Sequence, residues 1–509
     1  MDQDYKSLLL YFAIFVVSYT ITQKFLRKFQ NYPPSPFLTL PILGHLHLLK
    51  DQNSIHRTLS NLSKKHGPIL SLQFGSRHAL LVSSPSAAED CFHGHNDIIF
   101  ANRPRLMAGK ILGYDFTTML WAPYGALWRK HRRIASTEIL SSHRLHLLGN
   151  IRANEVRSLV RRLHQNGGDN AMVEIKPALF ELTNNVMMRM IAGKRIYGDA
   201  VESENARKFR EVITEIMELG AATNAVDFFP FLKCLGIHVR QEKKLKAVAL
   251  KFDEFIQGLV DEKRKEMQEQ GVCDQNVKTL IQVLLELQIS DPSYFTDDMI
   301  KGLVETLLLA GTETSSTTME WALALLLNNP EVLNKAQKEI DQHTRSDRLI
   351  EESDLVHLPY LHCIINETLR MYPAAPILPP RESSSDCVVG GYHVPQGTML
   401  TLNIWAMQND PNIWDNPSKF CPERFENIKG ERIGYQFIPF GSGRRACPGE
   451  NLAMRIIGLT LGSLIQCFEW EKLGKEEVDM KETVGVTMWK SSPLQAKCRR
   501  RSSMIKLLA

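Results

Sequence analysis

No two cysteines in this chain form a C-x-x-C pair. The nine present stand scattered at Cys91, Cys234, Cys273, Cys363, Cys387, Cys421, Cys447, Cys467 and Cys498. That pattern excludes a cysteine zinc site and a disulfide framework. It fits a reducing compartment in which most of these thiols behave as small buried hydrophobes. Charge of one sign is lacking too: the net value is +5 over 509 residues, too small to imply a nucleic-acid partner. The chain has no internal repeat, no low-complexity tract, and no flexible linker between Pro41 and Ala509. Residues 42–509 therefore read as one large, mainly α domain with small β-sheets.

Near the N-terminus stands an uninterrupted run without charge, "LLLYFAIFVVSYTIT", Leu8 to Thr22. It is short for a span of about 20 residues, but Lys6 and Lys24 can snorkel at its ends. Asp2 and Asp4 precede it, and Lys24, Arg27 and Lys28 follow. A cleaved signal has a basic start, so residues 1–28 read as a retained single-pass anchor with the C-terminal bulk in the cytosol. "YPPSPFLTLP" then forms a stiff proline-rich spacer within residues 29–41.

Along the body, "ILSLQFGSRHALLVSS" predicts a strand pair turning at Gly75 and Ser76, and "CVVGGYHVPQGTMLTLN" a hairpin at Gly390 and Gly391. "SAAEDCFHGH" predicts a short helix, and Asp97 to Gly125 a long loop. Helices dominate from Gly125. One reaches from about Asp297 to Asn328, capped by Thr296, led by two aspartates and stopped by Pro330. A charged surface helix ends near Gly271.

One cysteine has unusual neighbours. In "PFGSGRRACPGE", Gly441, Gly443 and Gly449 crowd around Cys447, and Pro448 suits a first helical turn. Helical spacing resumes through Leu452, Ile456 and Leu459, with Ser463 interrupting the stripe. A thiol at such a helix start is poised as a thiolate, hence as a metal ligand or a nucleophile. Within the long helix, "AGTETS" sets Ala310, Gly311, Thr312, Glu313 and Thr314 amid apolar sequence. Glu313 beside Thr314 is a pair able to relay protons. The plainer reading is a tight helix crossing at Gly311, with threonines bonding to the preceding turn. Glu367 and Arg370 share a helix face, ordinarily a weak surface pair, unless Arg424 of "FCPERFEN" folds back to join them. Trp128 and Arg132 also share a face, as an anion clamp or as an indole over a basic helix.

In combination and order these segments resemble the cytochrome P450 family from anchor to C-terminus. "FGSGRRACPG", Phe440 to Gly449, fits F-x-x-G-x-R-x-C-x-G at every fixed position. E-x-x-R stands at Glu367–Arg370, P-E-R-F at Pro422–Phe425, and W-x-x-x-R at Trp128–Arg132. The resemblance implies haem b with Cys447 as axial thiolate and Phe440 packed beside it. It implies that Arg445, Trp128, Arg132 and Arg381 hold the propionates. Glu367, Arg370 and Arg424 become a structural triad. Gly311 and Ala310 make room for O2, while Glu313 and Thr314 supply protons. Electrons would come from NADPH through cytochrome P450 reductase, docked on bases such as Arg129, Lys130, Arg133 and Arg444. An endoplasmic reticulum membrane location follows the same resemblance.

"AGTETSSTTMEWALALLLNNP" and the cysteine segment are similar to the plant group containing isoflavone 2′- and 3′-hydroxylases, methylenedioxy-bridge formers and xanthone-forming enzymes. That implies a small hydrophobic, phenolic substrate, with a terpenoid or fatty acid as the alternative. The family layout draws the pocket from Met107 to Met119, Ala221 to Phe229, Leu307, Ala310, Thr314, Ala375 to Pro379 and Val486 to Met488, with Lys110 and Asp115 able to orient a phenol. A peroxide isomerase or haem sensor would not need Glu313 and Thr314.

Overall fold

In the computed structural model, residues 30–36, 39–49, 54–166, 171–198, 204–221, 224–270, 278–344, 348–426, 433–483 and 487–504 are described, with scattered positions before 30. The anchor expectation falls mostly outside them. Among the described residues no helix is long and apolar enough to cross a membrane.

Seven helices position the site: α1 (Met107–Ile111), α2 (Ala126–Glu138), α3 (Ile175–Ala192), α4 (Val239–Gln270), α5 (Asp297–Asn328), α6 (Pro359–Met371) and α7 (Glu450–Cys467). Helix α5 matches the expected limits, and Thr296 accepts the Met299 N–H as its cap. Leu303, Val304, Leu308, Ala322 and Leu326 on it are buried, so α5 is the central rod of the molecule. Apolar burial of about 25 cal/mol per Å2 on every side holds it there. Its most extensive packing is against α3. Helix α3 is itself buried from Leu182 to Met188.

The principal sheet has the order β1 (Ile69–Phe74), β2 (Arg77–Val82), β7 (Met399–Leu402), β4 (Arg381–Glu382). β1 and β2 form the expected antiparallel pair, β2 runs parallel to β7, and β4 is antiparallel to β7. β5 (Cys387–Val389) and β6 (Tyr392–Val394) make the expected hairpin. A three-stranded sheet joins β3 (Ala171–Glu174), β11 (Gln495–Arg500) and β8 (Phe468–Glu471). Sequence patterning missed it, because β3 and β8, at 4 residues each, carry too few alternating positions to register. β9 (Glu482–Thr483) pairs with β10 (Trp489–Lys490).

Three expectations need correction. The long loop from Asp97 to Gly125 contains helical turns at Gly94–Ile99 and α1. The single helix read through "SHRLHLLGNIRANEVRSLVRRLHQ" is two, Ser142–Leu147 and Gly149–Asn166. Pro448 lies outside α7, whose N-cap is Gly449.

Candidate functional site

Cys447 stands just before α7, its N–H donating to the Phe440 carbonyl at 2.9 Å. The loop ahead of it folds tightly on neighbouring protein. Gly443 has φ +69°, and a Cβ there would fall 2.1 Å from Oδ1 of Asp97, so only glycine fits. The Asp97 carboxylate accepts the Arg444 N–H at 3.0 Å. The glycine requirement at 443 thus comes from Asp97 and not from a flat ligand. The Cys447 thiol is accessible from the cavity it lines. Surrounding protein desolvates it and pushes its pKa up; the N–H groups of Gly449 and Glu450 and the Arg132 charge pull the other way. Burial thus opposes the helix start at this thiol, and a bound metal cation would favour its thiolate form.

The cavity runs between α7, the Cys447 loop, α5, α3 and the Ala374–Pro379 segment. Helix α5 faces it with Leu307, Ala310, Gly311 and Thr314. A Cβ on Gly311 would lie 2.7 Å from Sδ of Met187, so this glycine is the expected tight crossing of α3 and α5 as well as a cavity residue. Thr314 donates its hydroxyl to the Ala310 carbonyl at 2.8 Å, the expected bond to the preceding turn.

Glu313 is not brought to this wall. It is 5% exposed and points to Lys176, 4.0 Å away. Burial raises its pKa; Lys176 opposes that and Glu320 adds to it.

Four guanidinium groups line the cavity: Arg103, Arg132, Arg381 and Arg445. Their hydrogen bonds go to backbone carbonyls. Arg103 reaches Pro379 at 2.5 Å and Pro380 at 2.8 Å, Arg132 reaches Ala446 at 2.6 Å, and Arg381 reaches Ser442 at 2.7 Å. Arg445 bonds Ala101 at 2.7 Å, Met119 at 3.1 Å, and Ala122. Among the described residues the lining contains no carboxylate. Asp97 stands 3.8 Å from Arg381. Burial depresses all four pKa values, to about 9 for Arg445 and about 10 for Arg381. Like-charged neighbours add to the effect on Arg103 and Arg445. Nη1 of Arg381 is buried with no hydrogen-bond acceptor. A set of donors in this state calls for a dianionic occupant.

Trp128 lines the same cavity, with its ring 4.7 Å from the Arg445 guanidinium. Its N–H donates to the Met119 carbonyl at 3.1 Å and is not aimed beside Arg132. Arg103 escaped the sequence reading because "NRPR" resembles an exposed basic loop. Its only signal was Pro104 fixing the chain beside it.

Glu367 and Arg370 are not a surface pair. Both side chains are 0% exposed and joined at 2.6 Å, and Arg424 reaches the same carboxylate at 3.1 Å. Glu367 also accepts the Cys421 N–H at 3.0 Å, and Arg370 donates to Gln408 and Pro417 carbonyls. The triad fastens α6 to the segment that leads into the cysteine loop.

The sequence profile of the cytochrome P450 family matches residues 33–498. The chain belongs to the cytochrome P450 family. It is 48% identical over 507 residues to cytochrome P450 81Q32 of Catharanthus roseus, covering 99% of each chain. Similarity of 44% extends to the isoflavone 3′-hydroxylase of Medicago truncatula, over 96% of this chain and 98% of that one. It is also 44% to the (+)-piperitol/(+)-sesamin synthase of Sesamum radiatum, over 99% and 98%. A zebra fish cytochrome P450 solved with progesterone superposes with TM-score 0.75 at 25% identity, covering 88% of this chain and 99% of that one. A cytochrome P450 carries haem with a cysteine thiolate, takes electrons from a redox partner and is a monooxygenase. The four guanidiniums and the cavity-facing thiol fit that cofactor, whose two carboxylates supply the missing anions.

The expected pocket holds in part. Met119, Leu307, Ala310, Thr314, Ala375, Leu378 and Pro379 line the haem cavity. Met107 to Phe116, Val226 and Asp227 do not; several of them line a second cavity, together with Lys110 and Asp115. Val486 lies outside the described residues, and Met488 is buried away from the lining.

Proposed function

We propose that this cytochrome P450 oxidises a neutral, hydrophobic plant metabolite of phenolic type by aromatic hydroxylation or oxidative ring closure. The observation that carries this reading is the cavity wall facing Cys447. Beyond the arginine cluster it is Leu120, Met187, Leu307, Ala375 and Leu378, relieved only by hydroxyls such as Thr306 and Thr314. Such a wall recognises a flat apolar body and offers no carboxylate or amine to a charged one. Related proteins named isoflavone 3′-hydroxylase, isoflavone 2′-hydroxylase and (+)-piperitol/(+)-sesamin synthase support the phenolic class.

Bound haem, ligated by Cys447, supplies the O2 activation. The chain's own residues do the rest. Arg103, Arg132, Arg381 and Arg445 hold the propionates, with Trp128 beneath Arg445. Phe440 packs at the thiolate. Gly311 and Ala310 keep the α5 wall low. Thr314 presents a hydroxyl to the cavity, and Glu313, its proton favoured by burial, stands behind it as a reservoir. NADPH–cytochrome P450 reductase is the electron donor of this reading. Residues 1–28 hold the chain to the endoplasmic reticulum with the catalytic domain in the cytosol.

The test is product mass spectrometry from microsomes containing this protein, reductase and NADPH. Isoflavones, lignans, benzophenones and diterpenes form the panel. Gain of one oxygen on a phenolic, or loss of two hydrogens, supports the proposal. Turnover confined to diterpenes or fatty acids replaces it with the alternative class, and peroxide rearrangement without NADPH overturns it.

A further inference from the structure

A second cavity of about 750 Å3 lies on the far side of α5 from the haem cavity, walled by α1, the 112–116 segment and α4. Thr306 and Leu307 face the haem cavity, while the preceding residue, Glu305, lines the second one, so α5 is the partition. Gly302 makes that partition tight: a Cβ there would meet Cγ2 of Thr118 at 2.9 Å.

The charges around this cavity divide by depth. Those nearer the surface are of both signs, Arg105, Lys110, Lys233 and Lys246 beside Asp115, Asp227 and Glu242. Several are already satisfied. Glu242 holds Lys246 at 2.7 Å, Asp227 accepts the Met107 N–H at 2.9 Å, and Arg105 lies 4.7 Å from the Phe116 ring. Deeper in, Asp253 accepts the Tyr114 hydroxyl at 2.5 Å and the Lys301 ammonium at 2.8 Å. Lys301 is shared with Asp298 at 3.2 Å. Glu305 is the buried group that those contacts leave out. Glu305 is 6% exposed, opens on the cavity, and among the described residues neither accepts a hydrogen bond nor joins an ion pair. A buried carboxyl without a partner is a costly arrangement that a structural role does not explain.

We propose that this second cavity is a binding site for an organic cation, an alkylammonium or quaternary ammonium group, seated on Glu305 and Asp253 between the rings of Tyr114 and Phe116. A cation gives Glu305, the buried carboxyl of this cavity, the partner it lacks. The two aromatic rings add cation–π attraction of the kind that recognises such groups. An anion would meet two carboxylates at the floor, and a purely apolar ligand would leave Glu305 unmatched. Burial and the neighbouring Asp253 raise the Glu305 pKa to about 8, which is the electrostatic signature of a carboxyl short of positive charge.

The experiment is titration calorimetry of the haem-loaded protein with benzyltrimethylammonium, which cannot ligate iron, while the haem absorption band is followed. Saturable one-to-one binding with an unchanged haem band is expected, and Glu305→Gln should weaken it at least tenfold. The neutral isostere neopentylbenzene, tested on wild type, should bind at least tenfold more weakly. That comparison keeps the test decisive if the variant fails to load haem. Absence of binding, equal affinity in Glu305→Gln, equal affinity for neopentylbenzene, or a shifted haem band would each overturn the proposal.

Discussion

Single side chains in this protein are held by what surrounds them more than by what they are. Glu367 shows it most plainly, accepting from Arg370, Arg424 and the Cys421 N–H while fully buried. Replacing it with Gln leaves Arg370 an unpaired buried cation, a change that costs about 3–5 kcal/mol. Urea unfolding of Glu367→Gln should show a loss of that size, and an unchanged midpoint would refute the triad's role. Arg424→Ala should lose less, because Arg424 is 13% exposed and can be partly solvated. Glu305 makes a prediction of opposite kind. Its folded pKa of about 8 lies above the ordinary 4.5, through burial first and Asp253 second. Between those values only the folded state keeps the proton, so its contribution to stability is present below 4.5 and is lost as pH rises through 8. Glu305→Gln should therefore melt like wild type near pH 4.5 and above it at pH 8, by up to several kcal/mol. Parallel melting curves across that window would contradict the assignment. Thr314→Ala removes the cavity-facing hydroxyl but leaves a good helix former. Product formation should fall by about 10–100-fold while NADPH oxidation continues; a fall in both together would place Thr314 in substrate binding.

At the scale of elements, the crossing of α3 and α5 is the critical joint. Gly311→Ala gains about 1 kcal/mol of helix propensity, but its methyl collides with the Met187 thioether. Met187 is buried and lines the haem cavity, so the displaced thioether moves within the substrate wall. The expected outcome is altered substrate affinity with little change in stability. In Met187→Ala the same glycine substitution should have no effect on affinity, a coupling that a double-mutant cycle measures directly. Elements also differ in how openly the sequence declares them. Helix α5 could be drawn to its ends because cap, acidic first turn and terminal proline are all local signals. So were the β1–β2 and β5–β6 turns. The three-stranded sheet of β3, β11 and β8 was hidden, since β3 and β8 are short and β3 meets β11 from the far end of the chain, Glu174 opposite Gln495. Among site residues, those within spaced motifs were legible: Cys447, Arg445, Thr314, Glu367. Arg103 was not, since its place depends on backbone carbonyls at Leu120, Pro379 and Pro380 that no local pattern brings near. The direction of Glu313 was hidden for another reason. Adjacent residues on a helix differ by about 100° in facing, and only the packing around α5 decides which one sees the cavity.

The whole molecule is a shell around a concentration of positive charge. Four guanidiniums, Arg381 buried and Arg103, Arg132 and Arg445 half-buried, converge with no lining carboxylate among the described residues. Their mutual repulsion opposes closure until two propionates enter, so haem should raise the thermal midpoint sharply, by the usual coupling of binding to folding. Comparison of haem-free and reconstituted protein checks this, and equal midpoints would refute it. Arg445→Ala and Arg103→Ala should each release haem faster, read as the rate of transfer to an apo-globin. The same arrangement has a meaning for the life of the protein in a cell. A newly made chain lacking its pigment should repel itself from within and stay partly open, in view of proteases and chaperones. Supply of haem then acts as a quality checkpoint. When the precursor runs short, the amount of this protein should drop before its message does, because the chain that cannot be filled is also the chain that cannot close.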